Sequence, residues 1–308
     1  MKIIRATAMG FCFGVREAVN LALTEGGRKP LSVLGELVHN PDVLKMLHER
    51  RIRLVSRVDE VRTATVMITA HGASDRTKAL ARAAGLEVLE ATCPLVQLVH
   101  RTVRQLVDEG YHPVIVGQKN HTEVRGITED LDAFDMVLEE SDVDELVPRP
   151  RFGVVAQTTQ PIARVRNLVQ RIRNRFPASE VRLVDTVCQP TKQRQAAVVE
   201  LARKVDMVLV IGGRQSNNTR QLVEACRLHC GLVYHVESAR DVASEWFAHI
   251  SSVGITAGTS TPDFVIDAVE RRVQEIAVSL ETGAADEKYF LTPSLTSTLL
   301  CELEEQKH

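Results

Sequence analysis

The sequence lacks the features that define several large classes of protein. It has no run of about 18 apolar residues, and it does not begin with a basic segment followed by an apolar one, so we expect neither a membrane span nor a secretory signal. Lys and Arg number 38 against 40 Asp and Glu, a formal net charge of -2. Without a basic excess, binding to nucleic acid or to an anionic membrane is not expected. We expect a cytoplasmic protein.

Signatures of nucleotide binding and of a disulfide framework are missing as well. The chain has no GxxxxGK[ST] loop and no convincing GxGxxG, so a small ligand without a base is favoured. Its six cysteines are spread widely over 308 residues. In a reducing compartment such cysteines are structural, catalytic or metal-binding.

What the sequence does contain is a threefold internal repeat. A strand, a short turn with a cysteine and a helix recur in "KIIRATAMGFCFGVREAVNLAL", "LEVLEATCPLVQLVHRTVRQLV" and "VRLVDTVCQPTKQRQAAVVELA". Two further strands ending in polar turns follow each of them. Alternating strands and helices predict an α/β fold: three pseudo-equivalent units with parallel sheets around a central cavity. The predicted boundaries are 1–91, 92–186 and 187–280, with a C-terminal tail over 281–308.

Three cysteines occupy equivalent places in these repeats: Cys12, Cys93 and Cys188. Each stands in a turn before a helix, where main-chain N–H groups stabilise a thiolate. We therefore predict that the three bind one shared metal centre. Zinc with a histidine or water is one possibility, and an iron–sulfur cluster with one iron lacking a protein ligand is another. Zinc favours closely spaced ligand pairs, so the wide spacing favours the cluster. Cys226 and Cys230 have no counterparts in the other repeats and are predicted to be structural.

The polar turns after the strands supply a second group of candidates. Because the carboxyl ends of parallel strands form one edge of a sheet, these side chains are predicted to surround a small anion. Glu123 is the one carboxylate among them, and in a dry cavity burial would raise its pKa enough to let it deliver a proton near neutral pH. The predicted anion donors are His39, His71, His121, Thr158, Thr159, Ser216, Asn217, Asn218 and Ser260.

A series of motifs along nearly the whole chain resembles one family. In order they are "GFCFGV", "LVHN", "AHG", "ATCPLV..VH", "NHTEVRG", "AQTT", "C..T..RQ", "S.N" and "AG.S.PD". The sequence is similar in these positions to the 4-hydroxy-3-methylbut-2-enyl diphosphate reductases. The resemblance implies an iron–sulfur enzyme that removes an allylic hydroxyl with two electrons and two protons, giving isopentenyl and dimethylallyl diphosphates.

The resemblance also implies roles for particular residues. A [4Fe-4S] cluster with one iron lacking a protein ligand would be held by Cys12, Cys93 and Cys188. Glu123 would be the proton source, and Thr158 would hold the substrate hydroxyl and the acid in line. Electrons would come from an external ferredoxin or flavodoxin, since no flavin or nicotinamide motif is present. The implied diphosphate shell is His39, His71, His121, Ser216, Asn217, Asn218 and Ser260.

Two other classes of function remain open from the residues alone. A non-redox metalloenzyme, either a zinc hydrolase of diphosphates or an iron–sulfur dehydratase, would turn over without a reductant. A non-catalytic carrier of a diphosphate or a metal would not need Glu123. The dependence of turnover on a reductant and on Glu123 separates these from a reductase.

Overall fold

The computed structural model describes residues 1–38 and 40–282. His39, predicted for the anion shell, and residues 283–308 of the predicted tail lie outside the described residues. The strands are β1 (Lys2–Arg5), β2 (Leu31–Leu34), β3 (Arg53–Val55), β4 (Thr65–Ile68), β5 (Glu87–Glu90), β6 (His112–Val116), β7 (Asp135–Val137), β8 (Arg151–Ala156), β9 (Glu180–Leu183), β10 (Met207–Ile211), β11 (Leu232–Val236) and β12 (Ser252–Ala257). The helices are α1 (Phe13–Arg28), α2 (Pro41–Glu49), α3 (Asp75–Ala83), α4 (Pro94–Asp108), α5 (Thr122–Thr128), α6 (Glu140–Glu145), α7 (Ile162–Arg175), α8 (Gln189–Ala202), α9 (Asn217–Arg227) and α10 (Asp263–Thr282).

The strands form three four-stranded sheets, and every pairing within them is parallel. The strand orders are β3-β2-β4-β5, β7-β6-β8-β9 and β11-β10-β12-β1. The same order thus occurs three times if β1 is counted as the last strand of its sheet. This arrangement confirms the predicted α/β fold with three parallel sheets.

The strand before each cysteine lies at the edge of its sheet. β5 and β9 pair with β4 and β8, which precede them in the chain, whereas β1 pairs with β12, with Lys2 opposite Ser252. One strand of the predicted unit 1–91 therefore belongs to a sheet otherwise built from residues 207–257. The boundaries at residues 91 and 186 stay a prediction.

The described chain divides into two compact units. The first unit comprises Met1–Cys12, Val38–Glu49 and the described residues from Gln193 onward, and contains the sheet β11-β10-β12-β1. The second unit comprises Phe13–Leu37 and Arg50–Lys192, and contains the other two sheets.

The central strands are buried on both faces, as their unbroken apolar sequences predict. β10 reads MVLVI and is buried at every position. The helix α4 packs through one apolar stripe, since it buries Val96, Val99, Val103 and Leu106 at helical spacing. Among the described helices, none combines the length and hydropathy needed to cross a lipid bilayer.

Candidate functional site

Each cysteine turn is hydrogen-bonded to the polar turn that follows the third strand of a repeat. The Cys93 N–H donates to the carbonyl of Ala70, which precedes His71, at 3.1 Å. The Cys188 N–H donates to the carbonyl of Thr158 at 3.0 Å. In the first unit the Cys12 N–H donates to the carbonyl of Thr259, which precedes Ser260, at 3.3 Å. The same main-chain bond thus places each cysteine turn beside a predicted anion-binding or hydroxyl-holding residue.

Glu123 and Thr158, in the second unit, form a buried pair. The Thr158 N–H donates to Glu123 Oε1 at 2.6 Å, and the Thr158 hydroxyl donates to Oε2 at 2.8 Å. Glu123 is 2% exposed and lies in the first turn of α5. Burial raises the pKa of Glu123 to about 7, against the two hydrogen bonds from Thr158, which lower it. The side chain therefore changes its protonation state near neutral pH.

His71 and His121, also in the second unit, lie edge to face. Their ring centroids are 5.4 Å apart with an interplanar angle of 84°. His71 follows β4, and His121 caps α5 by accepting the Glu123 N–H on Nδ1 at 3.1 Å. Accepting on Nδ1 leaves Nε2 of His121 to carry the proton of the neutral ring. The structure thus brings two of the predicted histidines together and fixes the tautomer of one.

The sulfur atoms of the second unit have specific surroundings. Cys93 is the N-cap of the 15-residue helix α4, and Cys188 directly precedes α8, with its Sγ 3.0 Å from the Thr191 hydroxyl. A helix N-terminus favours the thiolate form of such a cysteine. A Cβ added at Gly14 would lie 2.6 Å from Cys93 Sγ, so only glycine at this position leaves room for the sulfur.

In the first unit, the turn before Cys12 is held from two sides. The buried guanidinium of Arg194 donates to the Gly10 carbonyl at 2.7 Å and to the Met9 carbonyl at 3.4 Å. Gly10 has a φ of 71°, and a Cβ there would come within 2.9 Å of Ile266. The main chain of the turn is therefore held in one conformation where it leads into Cys12.

The start of α9, in the first unit, presents a row of buried polar side chains. Ser216 is its N-cap and accepts the Thr219 N–H at 3.3 Å. Ser216, Asn217 and Asn218 are each 2% exposed. Neither Nδ2 nor Oδ1 of Asn218 has a hydrogen-bond partner among the described residues. A buried amide of this kind, at the positive end of a helix, is typical of a site completed by an anionic ligand.

Two glycines allow the strand ends of the first unit to approach this helix start. A Cβ at Gly212 would lie 2.7 Å from the Thr219 hydroxyl, and one at Gly258 would overlap the same hydroxyl. Ser260 follows Gly258 by two residues and is buried. Thr159, predicted beside Thr158 in the second unit, accepts a hydrogen bond from Gln157 Nε2 at 3.2 Å.

Sequence reasoning assigned no role to Thr191 or Arg194. Both belong to the quoted motif "C..T..RQ", so the helical spacing from Cys188 was the available signal for Thr191. Nothing in the sequence indicates that the Arg194 side chain is buried against the Cys12 turn.

Among residues 1–38 and 40–282, no three His, Cys, Asp or Glu side chains form a group that could hold a metal ion. A single-ion site needs every ligand within about 2.3 Å of one point, whereas an iron–sulfur cluster separates its thiolates by the width of the cluster.

Comparisons with known proteins agree on one family. The family model described as "LytB protein" matches residues 3–274. A relative from Pelobacter propionicus, named 4-hydroxy-3-methylbut-2-enyl diphosphate reductase, is 38% identical over 278 residues, covering 90% of this chain and 99% of the relative. A solved structure of (E)-4-hydroxy-3-methyl-but-2-enyl diphosphate reductase is 38% identical with a TM-score of 0.64, covering 89% of this chain and 100% of that one. The reductase structure from Plasmodium falciparum is 25% identical with a TM-score of 0.81, covering 100% of this chain and 99% of that one.

Proposed function

The chain belongs to the LytB protein family, and we propose on that premise that it is a 4-hydroxy-3-methylbut-2-enyl diphosphate reductase of the non-mevalonate pathway. The reaction removes the allylic hydroxyl as water, consumes two electrons and two protons, and yields isopentenyl and dimethylallyl diphosphates. The observation that carries the proposal is the bond repeated at Cys12, Cys93 and Cys188. At each cysteine, this main-chain bond joins the cysteine turn to a turn that carries a residue we assign to the substrate.

We assign a [4Fe-4S] cluster, with one iron lacking a protein ligand, to Cys12, Cys93 and Cys188. The donor set fits this group, because all three are thiols in turns that lead into helices. The space that Gly14 leaves around Cys93 Sγ supports the same assignment. When bound, such a cluster supplies single electrons and a Lewis-acidic iron.

Glu123 and Thr158 supply and direct a proton. In the ionised form both oxygens of Glu123 accept hydrogen bonds from Thr158. When Glu123 takes up a proton on Oε2, the Thr158 hydroxyl must turn to accept it, which frees the threonine hydrogen for the substrate hydroxyl. A pKa of about 7 keeps about half of the acid protonated at neutral pH. The leaving hydroxyl can then depart as water.

The anionic end of the substrate requires fixed donors. We assign it to the N-terminus of α9 together with imidazole, hydroxyl and amide groups from the polar turns, since charge-assisted hydrogen bonds to a diphosphate position the carbon chain for reaction. Support comes from the buried, unpartnered amide of Asn218 and from the His71–His121 contact. The assigned residues are His39, His71, His121, Ser216, Asn217, Asn218 and Ser260.

The electrons must come from a separate protein. We propose a small one-electron carrier, a ferredoxin or a flavodoxin, as the donor. Reduced thiols and oxygen-sensitive clusters require a reducing compartment, which favours the cytoplasm as the location.

Metal analysis and reductant dependence test the proposal together. Protein purified without oxygen should contain iron and sulfide and should consume substrate only with a low-potential reductant. Cys93→Ala should lose iron, sulfide and turnover. Cys226→Ala is the matched control, because burial raises the pKa of that thiol to about 12 and keeps it out of ligation. Stoichiometric zinc without sulfide, or turnover without reductant, would instead support a non-redox metalloenzyme.

A further inference from the structure

Two consecutive carboxylates at the end of α5 reach the start of α3. Glu129 Oε2 accepts the hydroxyl of Ser74 at 2.8 Å and the hydroxyl of Thr77 at 3.2 Å. Ser74 is the N-cap of α3 and accepts the Thr77 N–H at 3.0 Å. The carboxylate of the C-cap residue of α5 is therefore bonded to both side chains that organise the first turn of another helix.

Asp130 completes the contact at the main chain. Its carboxylate accepts the N–H groups of Asp75 at 2.7 Å and Arg76 at 3.1 Å. These are first-turn donors that have no partner within their own helix. The hydrogen bonds from these two N–H groups and from Arg104 hold the pKa of Asp130 below its usual value, although burial acts in the opposite direction. Asp130 is thus an anionic cap supplied from a different element.

The two elements joined in this way carry two of the predicted histidines. Ser74 is three residues after His71, and Glu129 is the C-cap of the helix that begins next to His121. Between the two contacts, the backbones themselves meet: a Cβ at Gly126 would lie 3.3 Å from the backbone of Ala73. With so short a chain on each side, the position of α5 against α3 sets the position of one histidine against the other.

We propose that Glu129 and Asp130, which we call the acidic clamp, are positioning residues that hold the His71 turn and the α5 helix in register for binding the substrate diphosphate. This inference rests on the proposed function, since it takes both histidines to be diphosphate ligands. Neither Glu129 nor Asp130 is among the residues assigned to the substrate shell or to the cluster. The clamp acts on ground-state binding through His71 and His121, while Glu123 is held separately by its two hydrogen bonds from Thr158.

Steady-state kinetics of the anaerobic holoenzyme test the clamp. Asp130→Ala leaves two helix N–H groups uncapped and should raise KM about tenfold while changing kcat less than about twofold, because a small misplacement of binding groups weakens ground-state and transition-state binding alike. The inhibition constant of inorganic diphosphate, used as a competitive probe, should rise in parallel. Iron content should stay at the wild-type level. Asp130→Asn keeps one acceptor oxygen and should show a smaller effect in the same direction.

The chain offers a matched control and a partner-side variant. Asp132, two residues further on, is exposed and makes no hydrogen bond or ion pair within the described residues, so Asp132→Asn should leave KM unchanged. Glu129→Ala and Ser74→Ala remove the two ends of one contact, so their effects on KM should not add in the double variant.

Other outcomes would overturn the clamp. Unchanged KM and diphosphate inhibition in Asp130→Ala and Glu129→Ala would do so, and so would a loss of kcat and iron with KM preserved. If Asp130→Ala does not fold, the same readings on Asp130→Asn decide. Failure of the proposed function looks different, because wild-type protein itself would then not reduce the substrate.

Discussion

Glu123 illustrates how burial sets the working range of a single side chain. Its carboxyl is buried and, among the described residues, accepts hydrogen bonds only from Thr158, so the charged form loses more solvation than two hydrogen bonds return. The pKa accordingly rises to about 7. A proton donor is needed in its acid form, so activity that depends on Glu123 is present at low pH and is lost as the pH rises through about 7.

The pH profile of turnover tests this role. In wild-type protein kcat should fall as the pH rises above about 7. Glutamine has nearly the same shape as glutamate but no acidic proton, so Glu123→Gln should lower kcat by about 10²- to 10⁴-fold. The kcat of this variant should also no longer fall as the pH rises above about 7. Bound iron and the KM for substrate should be retained, which distinguishes a lost proton donor from a damaged site. Wild-type turnover in this variant would refute the assignment of Glu123.

At the residue scale, the sequence predicts side chains that lie in repeated patterns and misses those that do not. Glu123 and Thr158 follow strands whose carboxyl ends must share an edge, so their contact was predictable. The Thr191 hydroxyl beside Cys188, and Arg194 against the Cys12 turn, depend on the path of a turn and on a contact between residues far apart in the chain. No local pattern carries that information.

At the scale of elements, α1 shows how packing opposes helix propensity. Alanine stabilises a helix relative to glycine by up to about 1 kcal/mol. At Gly14, however, an added methyl would lie 2.6 Å from Cys93 Sγ and 3.0 Å from its Cβ. At Gly27, in the same helix, nothing lies within 4 Å of the added atom.

A pair of glycine substitutions therefore has opposite expected results. Gly14→Ala should displace Cys93 and lower bound iron and sulfide, with a loss of stability of about 1–3 kcal/mol from overpacking. Gly27→Ala should keep full iron content and raise the melting temperature slightly. Iron, sulfide and thermal unfolding measured on both variants check this. Full cluster content in Gly14→Ala would mean that the space beside Cys93 is not needed.

Helix ends were more predictable than strand partners. Serine is a common N-cap residue, and Ser74 accepts the Thr77 N–H; glycine is common just after a helix, and Gly85 has a φ of 77° just after α3. Proline is common at the first helical position, but α7 begins at Ile162 and Pro161 precedes it in an extended conformation. The partner of β1 could not be predicted, because strand pairing across nearly the whole chain leaves no local signal.

At the scale of the whole molecule, the threefold repeat predicts three parallel sheets, and the structure confirms them. The sequence does not say how repeats join, and β1 completes a sheet with the far end of the chain. Convergence of the three thiols on one cluster stays a prediction, supported by the same main-chain bond at each cysteine turn. A bond that recurs in three sheets reflects a constraint on the turn as a whole rather than on one side chain.

Two buried titratable groups of the second unit should give the stability of the protein opposite pH dependences. Burial is the main cause that lowers the pKa of His100 from 6.5 to about 4. The charges of Lys78 and Arg104 act in the same direction, and those of Asp75 and Asp130 act in the opposite direction. Because the pKa of His100 is depressed in the folded protein, its contribution to the free energy of unfolding is fully present above pH 6.5 and is lost as the pH falls toward 4. Burial raises the pKa of Glu123 from 4.5 to about 7, so its contribution is present below pH 4.5 and is lost as the pH rises through 7.

Because each shift corresponds to about 3 kcal/mol, the two effects should largely offset each other in the wild-type protein between pH 4.5 and 6.5. Removing one of the two groups should therefore make the effect of the other on the pH dependence of stability measurable. Leucine is similar in size to histidine and does not titrate. The melting temperature of His100→Leu should therefore rise as the pH is lowered across this window, since of the two groups only Glu123 then titrates. Glu123→Gln should show the reverse trend, because only the histidine then titrates. Calorimetric scans of both variants at several pH values check the prediction, and parallel slopes in the two would contradict it.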